Sequence, residues 1–202
     1  MLLIRFFQLH SIGRLDPVSN AEIRKDILRT AIDQLKQVDF SAQDAEFLLV
    51  DVASQRLLVC QGNTVLADYR VSTAAKGRGC QTGSFQTPVG VHRIAEKIGA
   101  GQPAGMIFEG RIATGRIAEI QPDNIDTGQD LITSRILWLQ GMQPGVNRGA
   151  GVDTHERYIY IHGTHEEGRL GQPVSHGCIR LANQNIIDLY DRVEQSTPVV
   201  IM

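Results

Sequence analysis

From Glu46 onward the chain gives up helical spacing. It runs instead in short stretches rich in branched and aromatic residues: FLLVDV, RLLVCQ and TVLADYRV, beginning at Phe47, Arg56 and Thr64. Turn-forming residues separate them, Ala53-Ser54-Gln55 and then Gln61-Gly62-Asn63. Runs this short, bounded by residues that reverse a chain, predict a β-meander. Thr87-Pro88-Val89-Gly90 marks another turn, after which VHRIAE alternates as a strand does. LITSRILWL, RYIYIHG and the terminal PVVIM read as further strands, so the fold class expected is mainly β.

Two segments read differently. Residues 19–38 carry Ile23, Ile27, Ala31, Leu35 and Val38 on one stripe, with Ser19 and Glu22 at the spacing of a capping box. This predicts an amphipathic helix docked on its own domain rather than offered to a partner. A second helix is expected after Asn183, with Asn183 as its cap and Ile186, Ile187, Tyr190 and Val193 on its buried face. The organisation expected is a helical extension over residues 1–44 and a main domain over 45–202. Residues 97–130 are glycine-rich with little periodicity, which suits either a flap or binding loop or a plain surface hairpin.

The 202 residues suffice for one domain with a core and an appendage. A net charge of -2 gives no electrostatic case for nucleic acid. No apolar run reaches the length of a membrane span. The first residues, MLLIRFFQLHSIGRLDP, have no basic lead and no small-residue cleavage site, so a cytoplasmic location is expected, or a periplasmic one if further residues precede them. The three cysteines, Cys60, Cys80 and Cys178, are an odd and low number. Free thiols in a reducing compartment are expected, with a Cys60–Cys80 bridge as the alternative.

The chemistry concentrates in Tyr160-Ile161-His162-Gly163-Thr164 and Ser175-His176-Gly177-Cys178-Ile179-Arg180-Leu181. A thiol titrates near ~8.5, so a nucleophilic Cys178 needs a base beside it. His176 sits two residues away on the same side but is constrained by its turn. His162 arrives from a separate strand and is the better base. Gly177 can take positive φ, which would let the amides of His176, Gly177 and Cys178 converge on an oxyanion. Arg180 adds a forked cation suited to a carboxylate. Spacing alone leaves two other readings open. One is a zinc site built from His162, His165, His176 and Cys178, against which stands the lack of a paired C-x-x-C or an H-E-x-x-H. The other is a purely structural cysteine.

The stretch from IHGT to GQPVSHGCIRL resembles the signature of the L,D-transpeptidase catalytic-domain family. VSTAAKG and QTPVG upstream are similar to family segments as well, although the family often has TPTG at the latter. The resemblance covers roughly residues 47–202. It implies a compact β-sandwich-like domain of two packed sheets, with a helix after the cysteine. It implies Cys178 as nucleophile and His162 as base, oriented by the backbone carbonyl of Gly163. His176 and Gly177 would shape the catalytic loop, while Arg180, Ser175 and Tyr160 would face substrate. No cofactor or metal is implied.

The substrate implied is a peptidoglycan stem peptide or muropeptide, cut between the L-centre of diaminopimelate and a terminal D-alanine. A thioester would then pass to an amine, giving a 3–3 cross-link. Passage to water instead would make a cytoplasmic L,D-carboxypeptidase of peptidoglycan recycling. Carbapenems would be expected to acylate the same thiol. The outside alternatives are a zinc-stabilised or a non-catalytic domain that binds cell-wall peptides.

Overall fold

The computed structural model describes residues 20–43 and 45–202. Ser19, the Glu22 side chain and the first residues lie outside the described part, and with them the expected capping box. Helix α1 (Asn20–Lys36) is followed by β1 (Glu46–Asp51), β2 (Arg56–Gln61), β3 (Thr64–Arg70) and β4 (Gly90–Ile98). Then come β5 (Met106–Glu109), β6 (Ile112–Ile117), β7 (Ile132–Gly141) and β8 (Tyr160–Gly163). A 3-10 turn (Glu167–Arg169), β9 (Ile179–Leu181), α2 (Asn183–Arg192) and β10 (Pro198–Ile201) complete the chain.

The expected meander is β1–β2–β3, antiparallel with Leu48 opposite Val59 and Leu58 opposite Asp68. Strand β10 returns to lie parallel to β1 and antiparallel to β4, and β4 pairs with β7. Strand β7 also pairs with β5 through Ile132 and Thr133 and with β8 through Thr133 to Trp138. All ten strands thus belong to one mixed hydrogen-bonded system.

Alternation decides which residues meet. On β1, Leu48 and Val50 point into a core shared with Leu137, Leu139, Ile161, Ile179 and Ile201. Two layers, β1–β2–β10 and β7–β8–β9, therefore close on each other, with Ile186 and Leu189 of α2 joining the same core. Phe47 and Leu49 point the other way, where Leu28, Ala31 and Leu35 of α1 cover them. Burial on both faces is why FLLV is continuously apolar. The helix is docked on its own sheet, as its stripe predicts. None of the described helices is long and apolar enough to cross a membrane.

Two expectations need correcting. Asn183 is not the cap of α2 but its first residue, turned inward. Its Oδ1 accepts from the hydroxyls of Thr133 and Ser134, and its Nδ2 donates to the Thr164 carbonyl at 2.8 Å. The cap is supplied from a distance: the Glu167 carboxylate accepts the Asn183 N–H at 2.8 Å, an anion at the positive end of the helix. Ile187 is only half-buried, and Leu189 takes the core position beside Ile186 and Tyr190.

The glycine-rich stretch is a hairpin followed by a loop. Met106 and Phe108 of β5 pack on Ile136, Trp138 and Tyr160, and Cys178 touches the edge of this cluster. The loop beyond β6 then runs beside β8, with Gln121 N–H donating to the His165 carbonyl at 2.7 Å, and so carries Thr127 and Asp130 toward the cysteine.

Candidate active site

Strands β8 and β9 build the site. They are parallel, with Ile161 opposite Ile179 and His162 opposite Arg180. Ile161 and Ile179 face the core, so the residues alternating with them face away from it together. Tyr160, His162, Cys178 and Arg180 thereby converge on one side. The Tyr160 N–H donates to Cys178 Sγ at 3.4 Å, and the thiol donates to the Tyr158 carbonyl at 3.5 Å.

His162 is buried, and its Nδ1 lies 2.7 Å from the Gly163 carbonyl. A carbonyl only accepts, so Nδ1 carries the hydrogen and Nε2 keeps its lone pair. Burial lowers the His162 pKa, and the nearby Asp130 charge together with the Gly163 bond opposes this in part. The imidazole is therefore neutral at pH 7. Loss of hydration pushes the Cys178 thiol up to about 12, with the Tyr160 N–H opposing it. Both directions favour a protonated thiol and a neutral imidazole at rest.

Two glycines are required by shape. A Cβ on Gly163 would stand 2.7 Å from the Thr133 carbonyl oxygen, so only glycine lets β8 approach β7 this closely. Gly177 has a φ of +136, a conformation that side chains resist, and Ile159 would crowd a Cβ there at 3.2 Å. Its carbonyl accepts from Thr87 Oγ1 at 3.0 Å. Ser175 fixes the same turn: its hydroxyl donates to the Cys178 carbonyl at 2.6 Å and accepts the Gly177 N–H at 3.2 Å. The Gly177 amide is thus turned onto Ser175 rather than left for an oxyanion. His176 is exposed and tied to Asp130, its Nδ1 2.8 Å from Asp130 Oδ2.

Arg180 is placed differently from the expectation of a fork open to substrate. Its guanidinium is buried, with Nη1 3.2 Å from Asp130 Oδ1 and Nη2 3.1 Å from Glu166 Oε2. Glu166 also accepts from the backbone N–H and the hydroxyl of Thr127 at 2.8 Å and from Arg169 at 3.1 Å. Both terminal nitrogens of Arg180 are therefore already engaged by carboxylates. Tyr160 contributes through its backbone, while its ring lies edge-on to Trp138 and its hydroxyl accepts from Arg111 Nη1 at 3.2 Å. That arginine, on the β5–β6 turn, also stands over Trp138, 4.6 Å from the ring centre.

The ligands of the zinc reading are not gathered. His165 Nε2 bonds to Thr127 Oγ1 at 2.8 Å, His176 is turned to Asp130, and among the described residues no three His, Cys, Asp or Glu side chains converge on a metal position. All three cysteines carry free thiols, and Cys60 lies under α1.

Asp130, Glu166 and Arg157 are part of the site although the sequence did not single them out. Arg157 donates to the carbonyls of Gly79 at 3.1 Å and Gln86 at 2.6 Å. Two cavities flank His176: one of about 360 Å³ lined by Asp126, Asp130, Glu166, Arg169 and Arg180, and one of about 260 Å³ lined by Thr82, Gly83, Phe85, Arg157 and Ile159. A larger cavity, about 560 Å³, lies beside α1 at Arg29, Ile32 and Phe40 and contains none of these groups.

Comparison with known proteins bears on this geometry. The family model described as the L,D-transpeptidase catalytic domain matches residues 45–201. A curated relative, the putative L,D-transpeptidase YkuD of Bacillus subtilis (strain 168), is 29% identical across 69% of this chain and 92% of its own length. An L,D-transpeptidase from Mycobacterium smegmatis superposes with a TM-score of 0.45 at 19% identity, covering 78% of this chain and 58% of that one. L,D-transpeptidase 3 from Mycobacterium tuberculosis, solved in complex with a faropenem-derived adduct, gives a TM-score of 0.49 at 16% identity over 78% of this chain and 60% of its own. The chain thus spans less than two thirds of these solved proteins.

Proposed function

The chain belongs to the L,D-transpeptidase catalytic domain family, and from that premise we propose that it is a cysteine acyl-transferase acting on peptidoglycan stem peptides. The bond attacked is the amide between the L-centre of a diamino acid, diaminopimelate, and a terminal D-alanine. The observation that carries the reading is that Cys178, whose sulfur accepts the Tyr160 N–H, lies on the same side of β8 and β9 as His162, whose Nδ1–H is held by the Gly163 carbonyl and whose Nε2 is left free.

In this mechanism His162 Nε2 takes the thiol proton as Cys178 Sγ attacks the carbonyl carbon. A protonated resting thiol makes that transfer part of the attack. The tetrahedral intermediate collapses as His162 returns the proton to the departing nitrogen, releasing D-alanine and leaving a thioester on Cys178. The amine of a second stem attacks the thioester, His162 takes its proton, and the thiol is restored as a 3–3 cross-link forms. Gly163 keeps the imidazole in the required tautomer. Asp130 supports the imidazolium that forms transiently, since opposite charge nearby favours it.

The test is mass spectrometry of a tetrapeptide muropeptide incubated with the protein. Release of D-alanine with a cross-linked dimer is expected, and Cys178→Ala should show neither. A tripeptide without dimer would make water the acceptor and the protein an L,D-carboxypeptidase. D-Alanine release that persists in Cys178→Ala would remove the thiol from the mechanism. The same carbonyl chemistry predicts acylation of Cys178 by carbapenems and penems, seen as one mass adduct that is absent from Cys178→Ala.

A further inference from the structure

A tetrapeptide stem ends in a carboxylate, and under the proposed reaction the bond attacked lies one residue before it. A group that recognises this end must sit about one residue, ~3.8 Å in Cα spacing, beyond the attacked carbonyl. Two arginines stand near Cys178, and their surroundings differ. Arg180 is buried between Asp130 and Glu166 and is already neutralised.

Arg157 touches only neutral acceptors: the Gly79 and Gln86 carbonyls and, at 3.4 Å, Ser84 Oγ. No carboxylate among the described residues reaches ion-pair distance of it. A guanidinium has five N–H donors, so these three bonds leave capacity for a ligand. Its position is close to the chemistry. The Gln86 oxygen it holds lies 3.5 Å from where a Cβ of Gly177 would stand, one residue from the nucleophile. Arg157 and His176 also line the same small cavity with Thr82, Gly83, Phe85 and Ile159.

We infer that Arg157, not Arg180, is the specificity residue of the reaction: it holds the terminal carboxylate of the departing D-amino acid in that cavity. The inference rests on the proposed acyl transfer from stem peptides. Burial independently marks Arg157 as a cation short of a counter-charge, because loss of hydration lowers its pKa and no carboxylate opposes this. The cavity, about 260 Å³, has room for one small amino acid. A stem extended by another residue would present an amide where Arg157 requires an anion.

The experiment uses two soluble tetrapeptide muropeptides that differ only at the last group, free D-alanine against D-alaninamide. The release of each is followed by mass spectrometry. A charge-assisted hydrogen bond predicts that the wild-type protein favours the acid by about 10- to 100-fold in kcat/KM. Arg157→Gln should bring the ratio near one, and Arg157→Lys should restore part of it. Equal rates on acid and amide in the wild type would overturn the inference and leave the acyl-transfer reading standing. So would an Arg157→Gln variant that keeps the wild-type ratio. The wild-type ratio decides the matter by itself if the variant fails to fold. Release from neither compound would overturn the acyl-transfer reading and this inference with it.

Discussion

The state of the resting thiol can be tested without any substrate. Desolvation pushes Cys178 from an ordinary 9.0 up to about 12. At pH 8 about 10⁻⁴ of it would be thiolate, against about 10⁻¹ of an unperturbed thiol, so its reactive form is scarcer by about 10³. A more basic thiolate is intrinsically more nucleophilic, and a Brønsted slope of ~0.4–0.5 over three units returns about 20- to 30-fold. The net expectation is alkylation by iodoacetamide about 30- to 60-fold slower than that of an unstructured cysteine peptide at the same pH. Partial cover of the sulfur slows the reaction further, so the decisive quantity is the pH dependence. Peptide mapping that follows each cysteine separately should show the Cys178 rate rising about tenfold per unit from pH 7 to 10 with no plateau. A plateau with a midpoint below pH 8 would refute the reasoning. It would mean that a thiolate–imidazolium pair already exists and that attack needs no proton transfer.

Other outcomes follow from the same structure. His162→Gln should slow D-alanine release by about 10². Because burial holds the His162 pKa below its ordinary 6.5, the neutral base persists at mildly acidic pH. The acid limb of kcat/KM should accordingly lie below pH 6.5, and a limb above 7 would contradict the assignment. Glu166→Gln leaves buried Arg180 with one carboxylate instead of two and should destabilise the fold by roughly 3 kcal/mol, read from urea denaturation; a change below ~1 kcal/mol would show the pair to be dispensable. His92 is fully buried, with Nδ1 on the Gly90 carbonyl and Nε2 on Thr154 Oγ1, and burial lowers its pKa to about 4. Its folded pKa lies below the unfolded value, so its contribution is intact above pH 6.5 and shrinks as pH falls toward 4, by roughly 3 kcal/mol in all. His92→Gln should weaken that acid dependence of stability, and an unchanged slope between pH 6.5 and 4 would exclude His92 as its source.

Local pattern made much of this legible. Alternation gave the strands because each pleated face must meet a core. The continuous apolar run of β1 is the case where both faces do, one against β7–β9 and one against α1. The nearness of Tyr160, His162, Cys178 and Arg180 was legible for a related reason. Two short strands flank a glycine-rich turn, and period-two alternation sends these residues to one side. What the sequence could not convey was the partners of each charge. Asp130 meets Arg180 across 50 positions, through a glycine-rich loop without periodicity. Nothing in the spacing says that the fork of Arg180 is closed by carboxylates. Asn183 misled for a similar reason. Its residue type favours a cap, but Thr133, Ser134 and Thr164 drew the side chain inward and left capping to Glu167. The one available signal was the buried charge itself. An arginine inside a strand-like run, next to an apolar core, needs a counter-charge, but only the fold shows that Asp130 and Glu166 supply it.

These charges bear on when the site reacts. In the proposed mechanism the sulfur becomes negative only as His162 becomes positive; Arg157 and Arg180 favour the first change against Asp130, and Asp130 favours the second against Arg180. Desolvation opposes both charges at rest and outweighs these partners, so the neutral pair persists until an amide carbonyl stands beside the thiol and accepts its electrons. Two consequences separate this arrangement from a preformed ion pair. A protonated thiol is a poor target for peroxide, because sulfenic acid forms from thiolate, so the free enzyme should oxidise slowly at Cys178 even though the sulfur is partly accessible. A ligand carboxylate on Arg157 would also offset the unpaired cation that favours thiolate. Under the proposed reading its departure with D-alanine restores that cation just as the thioester must be opened, which favours the thiolate as the leaving group for the second half of the reaction.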